Sequence, residues 1–197
     1  MSFREELKSR RFWCSVLAEL VGSLVLVSVI LGASAPGQED GGPVLMQVAL
    51  IHCFGEISGA QVNPAVTIAF LCTRKLDFLQ FVSYLLAQCL GAVIGSGIIY
   101  MSLPIKSTSR HLVNMINKDG NAGQALAMEI FATFQLVFTI FAVDDHRRRE
   151  VGEPGSLAIA FSLTAGILAG KFSGGSLNPA RSLGPAVITG FWEHHWV

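Results

Sequence analysis

One short motif occurs twice in this chain, and each copy places an Asn-Pro-Ala triplet next to apolar sequence. The first copy, SGAQVNPAVT, begins at Ser58, and the second, SGGSLNPARS, begins at Ser173. Asn is a preferred helix N-cap and Pro suits the first helical position, so each triplet predicts the start of a helix. The apolar sequence that follows each triplet is short, which predicts two half-length helices of about ten residues.

Composition places the rest of the chain in a membrane. Hydrophobic residues make up 51% of the sequence and charged residues 14%, whereas soluble domains carry about 25% charged residues. A bilayer span needs about 20 apolar residues, and three stretches fit: Phe12–Ala33, Leu76–Met101 and Gln124–Val143. Ser156–Gly170 is a little short but acceptable as a fourth span. A net charge of zero argues against nucleic-acid binding, which requires a basic face.

One apolar stretch is too short to span a bilayer. Pro43–Gly55 contains about 13 residues and would rise about 20 Å as a helix.

Basic residues predict the orientation of the chain, because cytoplasmic loops carry an excess of Lys and Arg. With alternating spans, three basic groups fall on one side, which we expect to be cytoplasmic together with the N-terminus. They are Arg4, Lys8, Arg10 and Arg11 at the N-terminus, Arg74 and Lys75 in the first half, and Arg147–Arg149 after the span that ends near Val143.

The repeat is longer than the two motifs and is inverted. VLAELVGS from Val16 is echoed by LAMEIFAT from Leu126, so each half opens with a span that carries one glutamate, Glu19 or Glu129. An odd number of spans separates the copies, so the second half enters the membrane from the opposite face, as in many transporters. We expect a single domain, 1–197, with repeat 1 at about 12–101 and repeat 2 at about 124–197.

The inverted repeat predicts that the two half-helices begin near the same depth. Their positive dipole ends would meet near the membrane midplane and oppose the passage of cations and protons. The side-chain amides of Asn63 and Asn178 would offer N–H donors to a file of water at that point.

These features resemble the aquaporin (major intrinsic protein) family over essentially the whole chain. The residues that carry the resemblance are both motifs, the span sequence AQCLGAVIG from Ala87, and the pair Glu19 and Glu129. The resemblance implies an all-α membrane fold with an inverted repeat and two re-entrant half-helices that meet at the NPA motifs. It also implies a homotetramer in the plasma membrane, one pore in each protomer, and passive conduction of water without catalysis.

The resemblance also assigns roles to particular residues. Arg181 would lie in the outer constriction and repel cations, while Ser182 matches the water-selective branch. Glu19 and Glu129 would support the NPA loops by accepting hydrogen bonds from their backbone. The NPA residues of the pore would be Asn63, Pro64, Ala65, Asn178, Pro179 and Ala180.

Two constriction positions depart from the water-selective pattern. An ungapped count from the second NPA places the constriction histidine of the family at Gly166, and the neighbouring loop position at Gly175. Glycine at these positions would widen the pore mouth and favour small neutral solutes in addition to water. Alternatively, the count is off by one, or Gly166 serves helix packing.

The sequence predicts neither a cofactor nor a metal site. His194 and His195 are adjacent, but no further ligand has suitable spacing, and an interfacial position beside Trp192 and Trp196 is favoured. No nucleophile, base and orienting group converge, so catalysis is not expected.

Two features distinguish this chain from the family pattern. The segment from Glu19 to Asn63 is shorter than that from Glu129 to Asn178, which suggests a shortened second span. The chain stops at Trp196–Val197, where the sixth span of the family would begin. An alternative function is therefore that of a non-conducting, truncated member that acts as a structural or regulatory subunit, assembling with full-length channels.

Overall fold

The computed structural model describes most of the chain. The described residues are 3–34, 42–103, 112–117, 120–145 and 155–195, without the side chains of 3, 42–48 and 171. Arg147–Arg149, which contribute to the predicted orientation, and Trp196 lie outside these residues.

The described residues are helical and contain no strand, which confirms the predicted all-α class. Most of the helices are long and apolar, and a short helix follows each NPA triplet. In chain order they are α1 (Phe3–Lys8), α2 (Arg10–Ala33), α3 (Gly42–Ser58), α4 (Pro64–Cys72), α5 (Phe78–Ser102), α6 (Ala122–Asp144), α7 (Gly155–Ala169) and α8 (Pro179–Thr189), with a 3₁₀ turn at Gly170–Phe172.

Among the described residues, three helices are long and apolar enough to cross a membrane: α2, α5 and α6, with 24, 25 and 23 residues. The shorter α7 has 15 residues and continues into the 3₁₀ turn, close to the predicted Ser156–Gly170. The chain is thus a multi-pass membrane protein.

Helix α3 is longer than the sequence predicted. We expected it to end at Gly55, but it continues to Ser58 and contains 17 residues, which corresponds to a rise of about 25 Å. Gly55 lies within the helix, and its carbonyl oxygen accepts a hydrogen bond from Gly59 N in the last turn. Gly59, with φ +87°, adopts the left-handed conformation that commonly follows a helix end.

Glycines allow α5 to approach its neighbours closely. A Cβ on Gly91 would overlap the carbonyl oxygen of Leu20 in α2, and one on Gly95 would lie 2.5 Å from the carbonyl oxygen of Leu24. Gly184 of α8 contacts α5 in the same way, at Ala92. Backbone contact of this kind is typical of packed membrane helices, and it holds the second short helix against the first half of the chain.

The outward faces of the long helices are apolar. On α5 the exposed residues recur every four positions, which defines a continuous stripe along one side of the helix. A second exposed stripe runs along α6. The α5 stripe is Phe78, Val82, Leu86, Leu90, Ile94 and Ile98, and the α6 stripe is Ile130, Phe134 and Phe138. Large exposed apolar faces of this kind are suited to contact with lipid or with another membrane helix.

Candidate functional site

The two short helices begin with the same capping geometry. Asn63 is the N-cap of α4, and its Oδ1 accepts a hydrogen bond from Ala65 N over 2.9 Å. Asn178 is the N-cap of α8, and its Oδ1 accepts from Ala180 N over 3.0 Å and from Arg181 N over 3.3 Å. In both helices Pro occupies the first position. A backbone N–H at this position would have no acceptor within the helix, so its absence in Pro costs nothing.

The two N-caps are also connected to each other's loops. Asn63 Nδ2 donates to the carbonyl oxygen of Leu177 over 2.9 Å, and Asn178 Nδ2 donates to that of Val62, also over 2.9 Å. Each bond joins residues more than a hundred positions apart and brings the two NPA segments together, as the inverted repeat predicted. Since a side-chain amide carries two N–H groups, each amide retains a second donor.

Glu19 supports the first NPA loop by accepting hydrogen bonds from it. Its carboxylate accepts hydrogen bonds from Gln61 N at 2.9 Å, Val62 N at 2.7 Å and Ser58 Oγ at 2.7 Å. Val62 has φ +44°, a left-handed conformation that costs a β-branched residue about 1–3 kcal/mol. The charge-assisted bonds to Glu19 offset this cost and fix the carbonyl of Val62 where Asn178 reaches it.

Glu129 holds the second loop with the same arrangement. It accepts from Ser176 N at 3.0 Å, Leu177 N at 2.9 Å and Ser173 Oγ at 2.7 Å. Leu177, with φ +54°, repeats the left-handed conformation of Val62. Both predicted loop-supporting carboxylates therefore contact the backbone of the loop that precedes an NPA triplet.

A small cavity of about 20 Å³ lies beside the paired N-caps. This volume is enough for about one water molecule. Aliphatic side chains from α2, α4, α6 and α7 form most of its wall, and five polar residues interrupt them. The polar residues are Gln61, Asn63, Ser176, Asn178 and Arg181.

Arg181 is buried beside this cavity, with 8% of its surface exposed. Its Nη1 is buried and has no hydrogen-bond partner among the described residues. An unpaired guanidinium nitrogen is costly in a buried site unless something supplies an acceptor. A polar molecule in the cavity would supply one.

A wider vestibule adjoins the cavity on the side of α1. It encloses about 420 Å³ and reaches from Glu6 and Arg11 to Ser58 and Tyr84. Gln61 lines both the vestibule and the cavity.

The two glycines predicted for the constriction lie close to α7 and the second loop. A Cβ on Gly166 would overlap Leu177 Cδ2 and lie 2.9 Å from Gln135 Nε2. The α7 side chains that line the cavity are instead Leu163 and Ile167. Gly175 has φ +57°, and a Cβ there would lie 2.8 Å from the Ile167 carbonyl oxygen. These contacts favour the packing interpretation of Gly166 over a wider pore mouth.

Two supporting contacts were not predicted from the sequence. Gln88 of α5 donates from Nε2 to Glu19 Oε2 and to Thr67 Oγ1, each over 2.8 Å. Asn114 donates from Nδ2 to Ser182 Oγ over 3.1 Å. Nothing in the local sequence distinguishes these amides from other polar residues, because their partners lie 21 to 69 positions away.

The histidine pair lies at the end of the described chain. His195 packs its ring edge-on against Trp192, with 4.9 Å between centroids. Within the residues described, no group of three or more His, Cys, Asp or Glu side chains is arranged to hold a metal ion.

Comparison with known proteins identifies relatives over most of this chain. Residues 6–197 match the family model described as "Major intrinsic protein". Human aquaporin-4 is 43% identical over 202 residues, covering 96% of this chain and 62% of that protein. Rat aquaporin-2 is 42% identical over 203 residues, covering 98% of this chain and 74% of that protein. The chain thus spans about three fifths of the length of the aquaporin-4 sequences that it matches.

A solved structure shares the fold. The X-ray structure of the aquaglyceroporin from Plasmodium falciparum superposes with a TM-score of 0.79 at 23% identity, covering 94% of this chain and 88% of that one.

Proposed function

The chain belongs to the major intrinsic protein family, and on that premise we propose that it forms a passive transmembrane channel for water and for small neutral solutes of similar size. The observation that carries the proposal is the small cavity at the paired N-caps of α4 and α8. It is lined by the amides of Asn63 and Asn178 and by the guanidinium of Arg181. These groups offer donors to the oxygen of a small neutral molecule.

The same groups oppose the passage of cations. Two helix N-termini carry partial positive charge, and Arg181 adds a full charge that is buried in the described structure. A cation would lose most of its hydration shell in a cavity with room for about one water. The positive charges of Arg181 and of the helix N-termini would repel it, so the energy lost on dehydration would not be recovered. We propose that Arg181 is the selectivity residue, that the NPA residues line the pore, and that transport involves no chemical step.

The membrane context is proposed from the distribution of charge and from the family. Lys75, in the connection between α4 and α5, forms an ion pair of 2.6 Å with Asp144 at the end of α6. This contact supports the proposal that this connection and the end of α6 lie on the same side of the membrane. We propose that this side and the N-terminus are cytoplasmic, that the membrane is the plasma membrane, and that the protein is a homotetramer.

Osmotic shrinkage of liposomes tests the proposal. The purified chain is reconstituted and shrinkage is followed by stopped-flow light scattering, against empty liposomes and an Arg181→Ala variant. Fast shrinkage with a low activation energy is expected for the chain, and proton leak is expected to rise in the variant. A glycerol gradient then tests the second class of permeant. Rates that match empty liposomes, with insertion confirmed, would contradict conduction by this chain.

A second candidate function rests on the exposed stripe of α6. Beside it, a groove of about 190 Å³ reaches Glu129, Asn178 and Pro179, so the described helices leave this side of the NPA pair uncovered. A subunit of this form could act in assembly with full-length family members. Co-expression with such a member discriminates the two candidates: co-purification, combined with no flux from the chain alone, supports the subunit.

A further inference from the structure

The two copies of the motif differ at the residue two positions before the NPA asparagine. The first copy has Gln61, and the second has Ser176. Both backbone N–H groups donate to the supporting carboxylate of their own half, Glu19 or Glu129. The two backbones are therefore held alike, and only the side chains differ.

The side chain of Ser176 is occupied within its own segment. Its Oγ donates to the carbonyl oxygen of Asn178 over 2.9 Å and pairs with Ser182 Oγ. This hydroxyl is satisfied by the protein and does not depend on a molecule in the cavity.

The side chain of Gln61 is not satisfied in this way. It is 6% exposed, and its Oε1 is buried without a hydrogen-bond partner among the described residues. A buried carbonyl oxygen left without a donor is destabilising. Since Gln61 lines both the vestibule and the cavity, the natural donor is a small molecule that occupies one of these spaces.

The cavity also contains the opposite kind of unpaired group, because Arg181 Nη1 lacks an acceptor. A small molecule that both donates and accepts hydrogen bonds matches both kinds of unpaired group in the cavity lining. Water is such a molecule, and buried waters commonly make about three hydrogen bonds to polar groups.

We infer that Gln61 is a specificity-determining residue at the vestibule end of the cavity, where its amide oxygen accepts a hydrogen bond from the permeant. The inference rests on the proposed function and deepens it. The permeant must be a small neutral molecule with at least one O–H or N–H donor as well as an acceptor, and water is the smallest molecule of this class.

The first test replaces Gln61 by Met, which is similar in size and lacks the amide. The loss of one hydrogen bond of about 1 kcal/mol should lower the water permeability per reconstituted chain by about fivefold. The matched control is Gln124→Met, because the exposed Gln124 side chain lies at the start of α6, where it accepts from Asn121 N over 3.3 Å, and lines neither the vestibule nor the cavity; its permeability should equal that of the parent. Equal permeability of Gln61→Met and the parent would overturn the inference.

The second test requires neither a flux measurement nor a substituted chain. In water-edited solid-state NMR of the unmodified chain in lipid, the Gln61 side-chain amide should gain magnetisation from water rapidly. The Gln88 side chain, bonded to Glu19 and Thr67, should gain it slowly. A Gln61 signal as slow as that of Gln88 would overturn the inference. A hydrated Gln61 in a chain without osmotic flux would instead contradict the proposed function and leave the water site in place.

Discussion

Glu19 and Glu129 occupy matching positions under the two NPA loops, but only Glu19 receives a side-chain amide in addition to its serine and backbone donors. Gln88 Nε2 lies 2.8 Å from Glu19 Oε2, and no described residue gives Glu129 an equivalent donor. The first loop is therefore bound to α2 and α5 together, whereas the second is bound to α6 alone through its carboxylate.

Glu19→Gln should destabilise the protein. One carboxylate oxygen becomes an NH₂ group that faces donors, so at least one charge-assisted bond is replaced by an unsatisfied contact, at a cost of about 1.5–3 kcal/mol. Thermal unfolding in detergent, followed by helical circular dichroism, should show a lower midpoint. Asp144→Asn is the control, because it removes an exposed ion pair worth about 1 kcal/mol or less. Equal midpoints for the two variants would contradict the supporting role of Glu19.

Asn178→Asp should reduce water permeability at least tenfold while the helices remain folded. The substitution keeps the capping oxygen for Ala180 N but replaces the donor to the Val62 carbonyl by a second oxygen, so attraction becomes repulsion. Stopped-flow light scattering measures the effect. The control is Asn121→Asp, since Asn121 caps α6 through its Oδ1 to Gln124 N at 2.9 Å. Unchanged flux in Asn178→Asp would show that the link between the two loops is dispensable.

Gly166→Ala should cost about 1–3 kcal/mol of stability through overpacking. The added Cβ overlaps Leu177 Cδ2, so a second substitution, Leu177→Ala, should relieve part of the overlap. A double-mutant cycle of thermal midpoints measures this coupling. If Gly166 instead faces an open pore mouth, the single variant will keep its stability and lower glycerol flux.

Gly91→Ala should destabilise the protein by a similar amount, about 1–3 kcal/mol, because its Cβ meets the Leu20 carbonyl oxygen. Gly97 lies on the same helix, and a Cβ there would meet only Ile188 Cδ1 at 3.6 Å, an ordinary contact. Gly97→Ala should therefore be neutral or stabilising, since Ala favours helix over Gly by about 1 kcal/mol. Unfolding midpoints of the two variants in the same detergent test the difference.

Local chemistry made part of this fold predictable. The starts of α4 and α8 follow from Asn63-Pro64 and Asn178-Pro179, because an N-cap followed by Pro specifies a helix start without tertiary information. The meeting of these starts follows from the inverted repeat, which relates two distant segments by symmetry.

Other features depend on backbone conformation and on side-chain packing, which the spacing of residues in the sequence does not specify. Counting placed Gly166 at the constriction, which stays a prediction, whereas its close approach to the Leu177 side chain could not be read from the sequence. The end of α3 was misplaced because Gly55 resembles a helix stop, although Gly59 is the residue with positive φ. Gln61 was overlooked because its importance arises from the absence of a partner, which only packing reveals.

The exchange of hydrogen bonds between Asn63 and Asn178 has a consequence for biogenesis. During synthesis, α2 to α5 can enter the membrane before the second motif has left the ribosome, but Asn63 then lacks the Leu177 carbonyl and the Val62 carbonyl lacks Asn178. The first loop reaches its final geometry only when the second arrives, and contacts so distant along the chain form late in folding. The geometry of the first loop therefore depends on a segment that is synthesised more than a hundred residues later.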